Sequence, residues 1–359
     1  MQPSTRNGFA ALNRPLPNRV PLALVLLLIG LATLVPMGAA TPRFNSRIEI
    51  PDVVVNLALY FPLGFLLAGQ RWSSRRVALF AALLSAAIEL LQGTLIAGRR
   101  GSLVDVVVNT GGAALGAYGF GEAGRVLARL HRGTLAALLS VPVLGWLGSG
   151  VLLSPFPRAM PRYYSLWAHQ FAGTEPFHGT LLSVRFQGRE VPDGYLAGAP
   201  ELRADARRTG LRLELRLRSD GPTPGVTHLA SIGDLQDGSI IGVDQVESDL
   251  MLYWESRGSR LGLRPPRLTL PGAARARRGE QLSIEGRVTG TFARLSVTDS
   301  GGTRSWGQSL TPLTGWRSFI PSRELSARDQ RLFDLIWTLA LLGYLVFCVR
   351  LLRPRPLRY

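Results

Sequence analysis

The sequence predicts a polytopic α-helical membrane bundle of about six spans, into which an all-β sandwich is inserted. Apolar runs lie at both ends of the 359-residue chain, and its mean hydropathy of +0.16 is high for a soluble protein. Between these runs, residues 154–330 alternate apolar and polar side chains, as half-buried strands do. The two patterns together predict a membrane protein that carries a β-domain.

The apolar runs define the predicted spans. A bilayer core of about 30 Å requires about 20 apolar residues in a helix. Runs that reach or approach this length are residues 20–38, 53–69, 77–96, 103–120, 133–153 and 331–352. They divide the chain into a tail (1–19), a membrane domain (20–153), the sandwich (154–330), a final transmembrane helix (331–352) and a second tail (353–359).

Arginine placement predicts the orientation. All 41 basic residues are arginine, and alternate sides of the predicted bundle collect thirteen of them with one acid, Glu122. These thirteen are Arg6, Arg14, Arg19, Arg71, Arg75, Arg76, Arg125, Arg129, Arg132, Arg350, Arg353, Arg355 and Arg358. Cytoplasmic loops carry an excess of basic residues, so both tails are predicted to be cytoplasmic and the sandwich extracytoplasmic. The net charge of +17 then reflects topology, and we expect no nucleic-acid partner.

The central region reads as short strands that end in turns. LRLELRLRSDG (211–221) places four leucines on one face and charged residues on the other, and DLMLYWESRG (249–258) repeats the pattern. Between residue 154 and Glu324, the sequence shows no helical periodicity of useful length. The order of these segments resembles concanavalin A-like (laminin G-like) jelly rolls. Contact with a wall glycan and a role as a spacer or oligomerisation module both remain open.

Some proteins with that fold hydrolyse glycans with three alternate carboxylates on one strand. Here Glu247 and Asp249 are followed by Leu250 and Met251, so the third carboxylate is absent from the pattern. Retaining hydrolysis needs two carboxylates about 5 Å apart, and no pair in this region is placed for it. We therefore predict no catalytic residue in the sandwich.

The second, third and fourth predicted spans each carry polar or small residues on one face. Within each span these residues lie three, four, seven or eleven positions apart, and such spacings return to the same face of a helix. Lipid cannot satisfy such groups, so these faces are expected to meet inside the bundle. The predicted ligand-binding residues, called here the intramembrane cluster, are Asn56, Glu89, Gln92, Arg99, Arg100, Asp105 and Asn109. The predicted helix-packing residues are Pro62, Gly64, Gly112 and Gly116.

Arg99 and Arg100 lie in the short loop between the third and fourth spans, on the predicted outer side. Their charge runs against the positive-inside bias, and the loop holds no acidic neighbour. An arginine retained at such a place suggests a specific partner: Glu89, Asp105, or an anionic ligand at the outer leaflet.

Three segments, NLALYFPLGFLLA (56–68), IELLQ (88–92) and GRRGSLVDVVVNTGGAALG (98–116), together resemble the VanZ-like family of bacterial membrane proteins. Its members share an Asn before a Pro-x-Gly span, a Glu-x-x-Gln helix, a Gly-Arg loop and an Asp-x-x-x-Asn-Thr-x-Gly helix. The resemblance places Arg99 in the Gly-Arg position and implies a protein of the bacterial plasma membrane. The family takes its name from a factor in low-level teicoplanin resistance. The resemblance covers a core of about residues 50–116, and this chain differs by its sandwich and final span.

Three functional classes remain open. The favoured one is a non-catalytic protein that binds an envelope lipid or wall polymer and affects envelope properties or glycopeptide susceptibility. The second is a membrane-embedded enzyme acting on a lipid-linked phosphate or glycan, with Arg99 on the anion and Glu89 or Asp105 as general base. The third is a proton-linked transporter, although the sequence shows no inverted repeat.

The expected partners are membrane lipids, and with them a cell-wall glycan or a lipid-linked precursor. We expect no catalytic residue, no cofactor and no metal site. The single cysteine, Cys348, lies in an apolar run, and His169, His178 and His228 are too scattered in sequence to indicate metal ligands.

Overall fold

The computed structural model describes residues 19–34, 43–44, 49–97, 99–129, 132–160, 162–171, 174–234, 238–319 and 327–352. Residues 1–18 of the first predicted tail and the whole second tail (353–359) lie outside the described residues, as do the predicted end of the first span (35–38) and Gly98 of the Gly-Arg loop. The chain forms two compact units, Met1–Ser140 with Arg350–Tyr359, and Val141–Val349.

The first unit is a helical bundle. Its helices are α1 (Arg19–Leu34), α2 (Ile50–Gly69), α3 (Ser74–Thr94) and α4 (Leu103–Arg129), and α5 (Arg132–Leu152) begins in this unit and ends in the second. Helix α4 packs against both α2 and α3, and α1 packs against the same two helices. The buried core is formed by Ile29, Tyr60, Leu63, Leu67, Val77, Ala81, Ile88, Ala113 and Ala117.

The outside of this bundle is apolar, as lipid contact requires. Large apolar side chains such as Leu83, Val107 and Leu115 are exposed, whereas polar side chains of α3 and α4 are buried. Among the described residues, three helices are long and apolar enough to cross a membrane: Ile50–Gly69, Ser74–Thr94 and Leu103–Glu122. Two shorter apolar helices cover Pro21–Leu34 and Leu139–Leu152. The chain is therefore a membrane protein, and the larger number of about six spans stays a prediction.

Local sequence accounts for the helix ends. Pro51 occupies the first turn of α2, where its missing N–H costs nothing. The Ser73 side chain accepts a hydrogen bond from the Arg76 amide at the start of α3. Helix α4 continues to Arg129, past the predicted end at residue 120. The two short parallel strands β1 (Arg43–Phe44) and β2 (Arg100–Gly101) pair beside α3.

The second unit contains two six-stranded sheets, in which all neighbouring strands are antiparallel. The first sheet has, in spatial order, β11 (Arg267–Leu270), β10 (Asp249–Trp254), β9 (Gly238–Val246), β8 (Val226–Asp234), β3 (Tyr164–Trp167) and β6 (Gly194–Tyr195). The second has β14 (Gly302–Ser309), β13 (Phe292–Asp299), β12 (Gln281–Val288), β7 (Leu211–Arg218), β4 (Thr180–Phe186) and β5 (Arg189–Val191).

The predicted two-sheet β-domain is confirmed, and its jelly-roll assignment stays a prediction. In β7 the four leucines are buried and the arginines between them are exposed, which is the alternation read from the sequence. Strand β8 departs from it, because its residues from Thr227 to Gly233 are all buried and so both of its faces are covered.

The expectation that no helix lies between residue 154 and Glu324 was wrong. Residues Ala199–Thr209 form the amphipathic helix α6, which buries Ala199, Leu202 and Ala206 against the sandwich core. With 11 residues and a mostly charged outer face, this helix is too short for a clear periodic signal.

Helices α5 and α7 (Ala327–Leu352) both contact one short segment of the second unit. The 3₁₀ helix Pro312–Ser318 follows the last strand. A Cβ added to Gly150, near the end of α5, would lie 2.6 Å from the Pro312 nitrogen. Helix α7 also contacts this segment, because the Trp337 indole donates to the Pro312 carbonyl at 2.8 Å.

Candidate functional site

The polar face of α3 is buried and bonded to the neighbouring helices. Ser85, Glu89 and Gln92 are each at most 6% exposed. The Gln92 amide donates to the Thr33 carbonyl at 2.7 Å, in the last described turn of α1. The Asn109 amide donates to Ser85 Oγ at 2.9 Å. These contacts join α3 to both α1 and α4.

The Glu89 carboxylate lies at the end of the bundle where the end of α3 is close to the start of α4. Its Oε2 accepts a hydrogen bond from the Ser102 amide at 2.8 Å. The Ser102 side chain in turn accepts from the Asp105 amide at 3.3 Å, which is the geometry of a helix N-cap. A buried acid and a helix N-terminus are thereby held together.

A second group of polar side chains lies on α2 and α4. Asp105 lies within hydrogen-bonding reach of Asn56, and the Asp52 carboxylate acts on it electrostatically. Glu89 is also close enough to Asp105 for their charges to interact. The bundle thus brings three carboxylates into one electrostatic neighbourhood.

Arg99 and Arg100 occupy different positions. The half-buried Arg99 donates from a terminal guanidinium nitrogen to the Ala32 carbonyl at 2.7 Å, and its charge acts on Glu89. Arg100 is exposed in strand β2. The structure therefore brings Arg99 to the last described turn of α1 and beside the buried acid, while Arg100 is exposed.

Two buried polar atoms of the bundle have no hydrogen-bond partner among the described residues: the Tyr60 hydroxyl and the Asn109 Oδ1. Tyr60 is fully buried beside Ser85. Unpaired buried polar atoms are unusual in folded proteins, so this part of the bundle is a candidate for local function.

Three glycines allow α2 and α4 to approach closely. A Cβ on Gly64 would lie 1.8 Å from the Ala113 carbonyl oxygen, and one on Gly116 would lie 2.1 Å from the Phe61 oxygen. A Cβ on Gly112 would lie 2.7 Å from the oxygen of Leu57. Pro62, predicted to pack with them, lies inside α2 with its side chain exposed.

Sequence reasoning missed several participants. Ser102 begins a Ser-x-x-Asp pattern typical of a helix start, so that signal was available. Asp52 lies one residue before the predicted span 53–69 but in the first turn of α2, and the carbonyls of Ala32 and Thr33 carry no sequence signal. Within the described residues, no cluster of three or more His, Cys, Asp or Glu side chains is arranged to hold a metal ion.

The sandwich contains a buried histidine paired with a partly buried aspartate, which the sequence did not indicate. His228 Nδ1 lies 2.9 Å from an Asp244 carboxylate oxygen, and the Phe171 ring packs edge-on against the imidazole at 4.8 Å. Burial raises the pKa of the neighbouring Tyr253, with a further contribution from the charge of Asp244.

Residues 8–122, about a third of the chain, match the family model described as VanZ/LLP1. The chain therefore contains a VanZ-like domain, which extends from the predicted core at residues 50–116 to include α1. The matched segment holds the whole intramembrane cluster. No concanavalin A-like or laminin G-like family model matches the sandwich. No curated protein and no solved structure matches the chain.

Proposed function

We propose that this chain is a non-catalytic protein of the bacterial plasma membrane that binds an anionic envelope lipid or cell-wall precursor at the intramembrane cluster. Through that binding it affects envelope properties, including glycopeptide susceptibility. The observation that carries the proposal is Arg99, a half-buried guanidinium oriented by the Ala32 carbonyl and placed beside buried Glu89.

The two arginines of the loop, Arg99 and Arg100, are the groups at this end of the bundle that suit an anion. A guanidinium presents several N–H donors in a planar fork that matches carboxylate and phosphate oxygens. The contact to Ala32 orients the fork, and the exposed Arg100 adds a second positive charge on the adjoining strand. A purely structural pair between Arg99 and Glu89 would not need that second charge.

The orientation belongs to the same proposal. Arginine placement supports cytoplasmic termini and an extracytoplasmic sandwich, which would put the loop of Arg99 at the outer leaflet. Reporter fusions truncated after Ser165 and after Gly258 test it. Activity of an exported reporter at both sites is expected, and activity of a cytoplasmic reporter at either one contradicts this orientation.

The binding test is native mass spectrometry of lipids that co-purify with the full-length protein. Arg99→Ala should lose the anionic lipid or precursor while the protein accumulates normally. Arg75→Ala is the matched control, because Arg75 is an exposed arginine in the first turn of the same helix α3. Retention of the ligand by Arg99→Ala would exclude this site, and unchanged teicoplanin susceptibility of a deletion strain would exclude the physiological role.

A membrane-embedded enzyme is the second candidate, favoured by the proximity of Asp52, Glu89 and Asp105. Carboxylates placed near one another can exchange protons with a substrate. The enzyme hypothesis expects the purified protein to turn over a lipid-linked wall precursor and Glu89→Gln to be inactive. Absence of turnover in the wild-type protein, with ligand still bound, leaves the binding function.

A further inference from the structure

The second unit contains a basic cleft that has no part in the function proposed above. The cleft has a volume of about 460 Å³ and is lined by Phe156, Arg158, Arg207, Glu255, Ser259 and Arg260. Three of these six side chains are cationic and one is anionic. We propose that this cleft binds a phosphoryl anion, presented either by a lipid headgroup at the membrane surface or by a soluble phosphate compound.

The fold brings the cleft together from three segments. An isolated antiparallel bridge between Pro155 and Ser256 places the residues that follow α5 beside the end of β10. The Phe156 amide donates to the Glu255 carbonyl at 3.0 Å, which fixes the register of the two segments. The third side is the last turn of α6, which contributes Arg207.

Glu255, the one acidic residue that lines the cleft, is already paired with Arg158. Glu255 is 6% exposed, and its carboxylate lies 3.2 Å from Arg158 Nε and accepts the Arg158 amide at 3.3 Å. This pair neutralises Arg158 and forms one wall. The charge of Arg260 also acts on Glu255, but three cationic side chains against one carboxylate leave the cleft with an excess of positive charge.

Arg207 and Arg260 both form cation–π contacts with the Phe156 ring. Their guanidinium carbons lie 5.2 Å and 4.8 Å from the centre of the Phe156 ring. Arg207 also donates Nε to the Pro157 carbonyl at 3.3 Å, whereas Arg260 donates no hydrogen bond to any residue that the structure describes. Two like charges gathered on one ring repel each other, and an anion between them removes that repulsion.

The number of donors favours a phosphoryl group over a carboxylate. One carboxylate can accept one bidentate guanidinium, whereas a phosphoryl group has further oxygens for a second. The cleft also lies beside the end of α5, since the Gly258 amide donates to the Leu152 carbonyl at 2.8 Å. Residues Leu139–Leu152 are apolar, so a lipid headgroup is a source within reach if this helix enters the bilayer.

The test uses the full-length protein in detergent and two probes. Phosphatidylglycerol binding is followed by native mass spectrometry with phosphatidylcholine as the zwitterionic comparison, and inorganic phosphate binding is followed by calorimetry. The double variant Arg207→Gln/Arg260→Gln is expected to weaken binding of at least one probe about tenfold or more. Arg208→Gln is the matched control, because Arg208 lies in the same turn of α6 but pairs with Asp205 at 3.0 Å.

Each outcome decides the proposal. Loss of phosphatidylglycerol binding alone supports the site with a lipid headgroup as the source, and loss of inorganic phosphate binding supports it with a soluble source. Equal binding of both probes by wild type, double variant and control overturns it, provided that near-ultraviolet circular dichroism shows all three folded. Repeating the comparison in an Arg99→Ala background separates this cleft from the intramembrane cluster, so either proposal can fail without the other.

Discussion

Glu89 near the end of α3 accepts a hydrogen bond from the backbone amide of Ser102 at the start of α4, at 2.8 Å. The bond spans the loop that contains Arg99 and Arg100. Both partners are buried, with exposed fractions of 6% and 8%. The position of the loop that holds Arg99 and Arg100 therefore depends on the packing of α3 against α4.

Replacing Glu89 tests that contact. Glu89→Leu removes the acceptor and leaves the Ser102 amide buried without a partner, which should destabilise the bundle by about 1–3 kcal/mol. Glu89→Gln keeps a carbonyl acceptor and should cost less. Thermal unfolding of the purified protein in detergent measures both, and equal losses for the two variants would show that the bond contributes little.

The close approach of α2 and α4 depends on Gly64. A Cβ there would lie 1.8 Å from the Ala113 carbonyl oxygen, so Gly64→Ala must push the helices apart and should cost about 1–3 kcal/mol. Gly121→Ala is the matched control in α4, because nothing lies within 4 Å of its added Cβ. Equal melting temperatures of the two variants in detergent would contradict the packing.

Asp334 holds two side chains of the 3₁₀ helix. Its carboxylate accepts from the Trp316 indole at 2.7 Å and lies 3.8 Å from the guanidinium of Arg317, which is 4% exposed. Burial lowers the pKa of Arg317 to about 10, and the charge of Asp334 opposes this shift.

Asp334→Ala should therefore destabilise the second unit. Removing one partner of a buried ion pair costs about 3–5 kcal/mol, and partial exposure of Asp334 puts the expected loss near the lower end. Asp205→Ala, which breaks the exposed pair with Arg208, should cost less than about 1 kcal/mol. Chemical denaturation followed by tryptophan fluorescence measures both losses, and similar values would contradict the prediction.

Asp299 should contribute to the acid sensitivity of the sandwich. The Gly301 amide, at 2.8 Å, and the Arg304 guanidinium, at 2.7 Å, hold the pKa of this carboxyl below its ordinary value. A depressed folded-state pKa stabilises the fold above the unfolded value of about 3.9. That contribution is lost as the pH falls through the folded-state pKa.

The wild-type protein should accordingly lose more stability than Asp299→Asn as the pH falls below about 4. Unfolding of both proteins is followed over a pH series from about 5 to about 3. Parallel curves would show that ionisation of Asp299 does not stabilise the hairpin between β13 and β14.

The sequence predicted those features that depend on local spacing. The alternation of β7 and the buried polar face of α3 follow from periods of two and of about 3.6 residues, which need no knowledge of the partner element. The two antiparallel sheets follow from several such strands separated by turns. The membrane character follows from the length and composition of the apolar helices.

Features that depend on register between distant elements were not predictable. The neighbourhood of Asp52 and Asp105 requires the packing of α2 on α4. The bond from Gln92 to the Thr33 carbonyl requires the packing of α3 on α1. His228 faces Asp244 next to a register shift in the pairing of β8 with β9, and a shift of this kind changes which face a side chain occupies.

The 3₁₀ helix Pro312–Ser318 has a mechanical consequence for the second unit. It contacts α5 near its end through Gly150, and it contacts the first half of α7 through Trp337. A β-domain that contacts only one of its flanking helices can rotate about the linker to that helix. A β-domain that contacts the helices at both of its chain connections cannot rotate in this way. A force applied to the sandwich is therefore shared between α5 and α7, and the two helices are expected to tilt together as a pair.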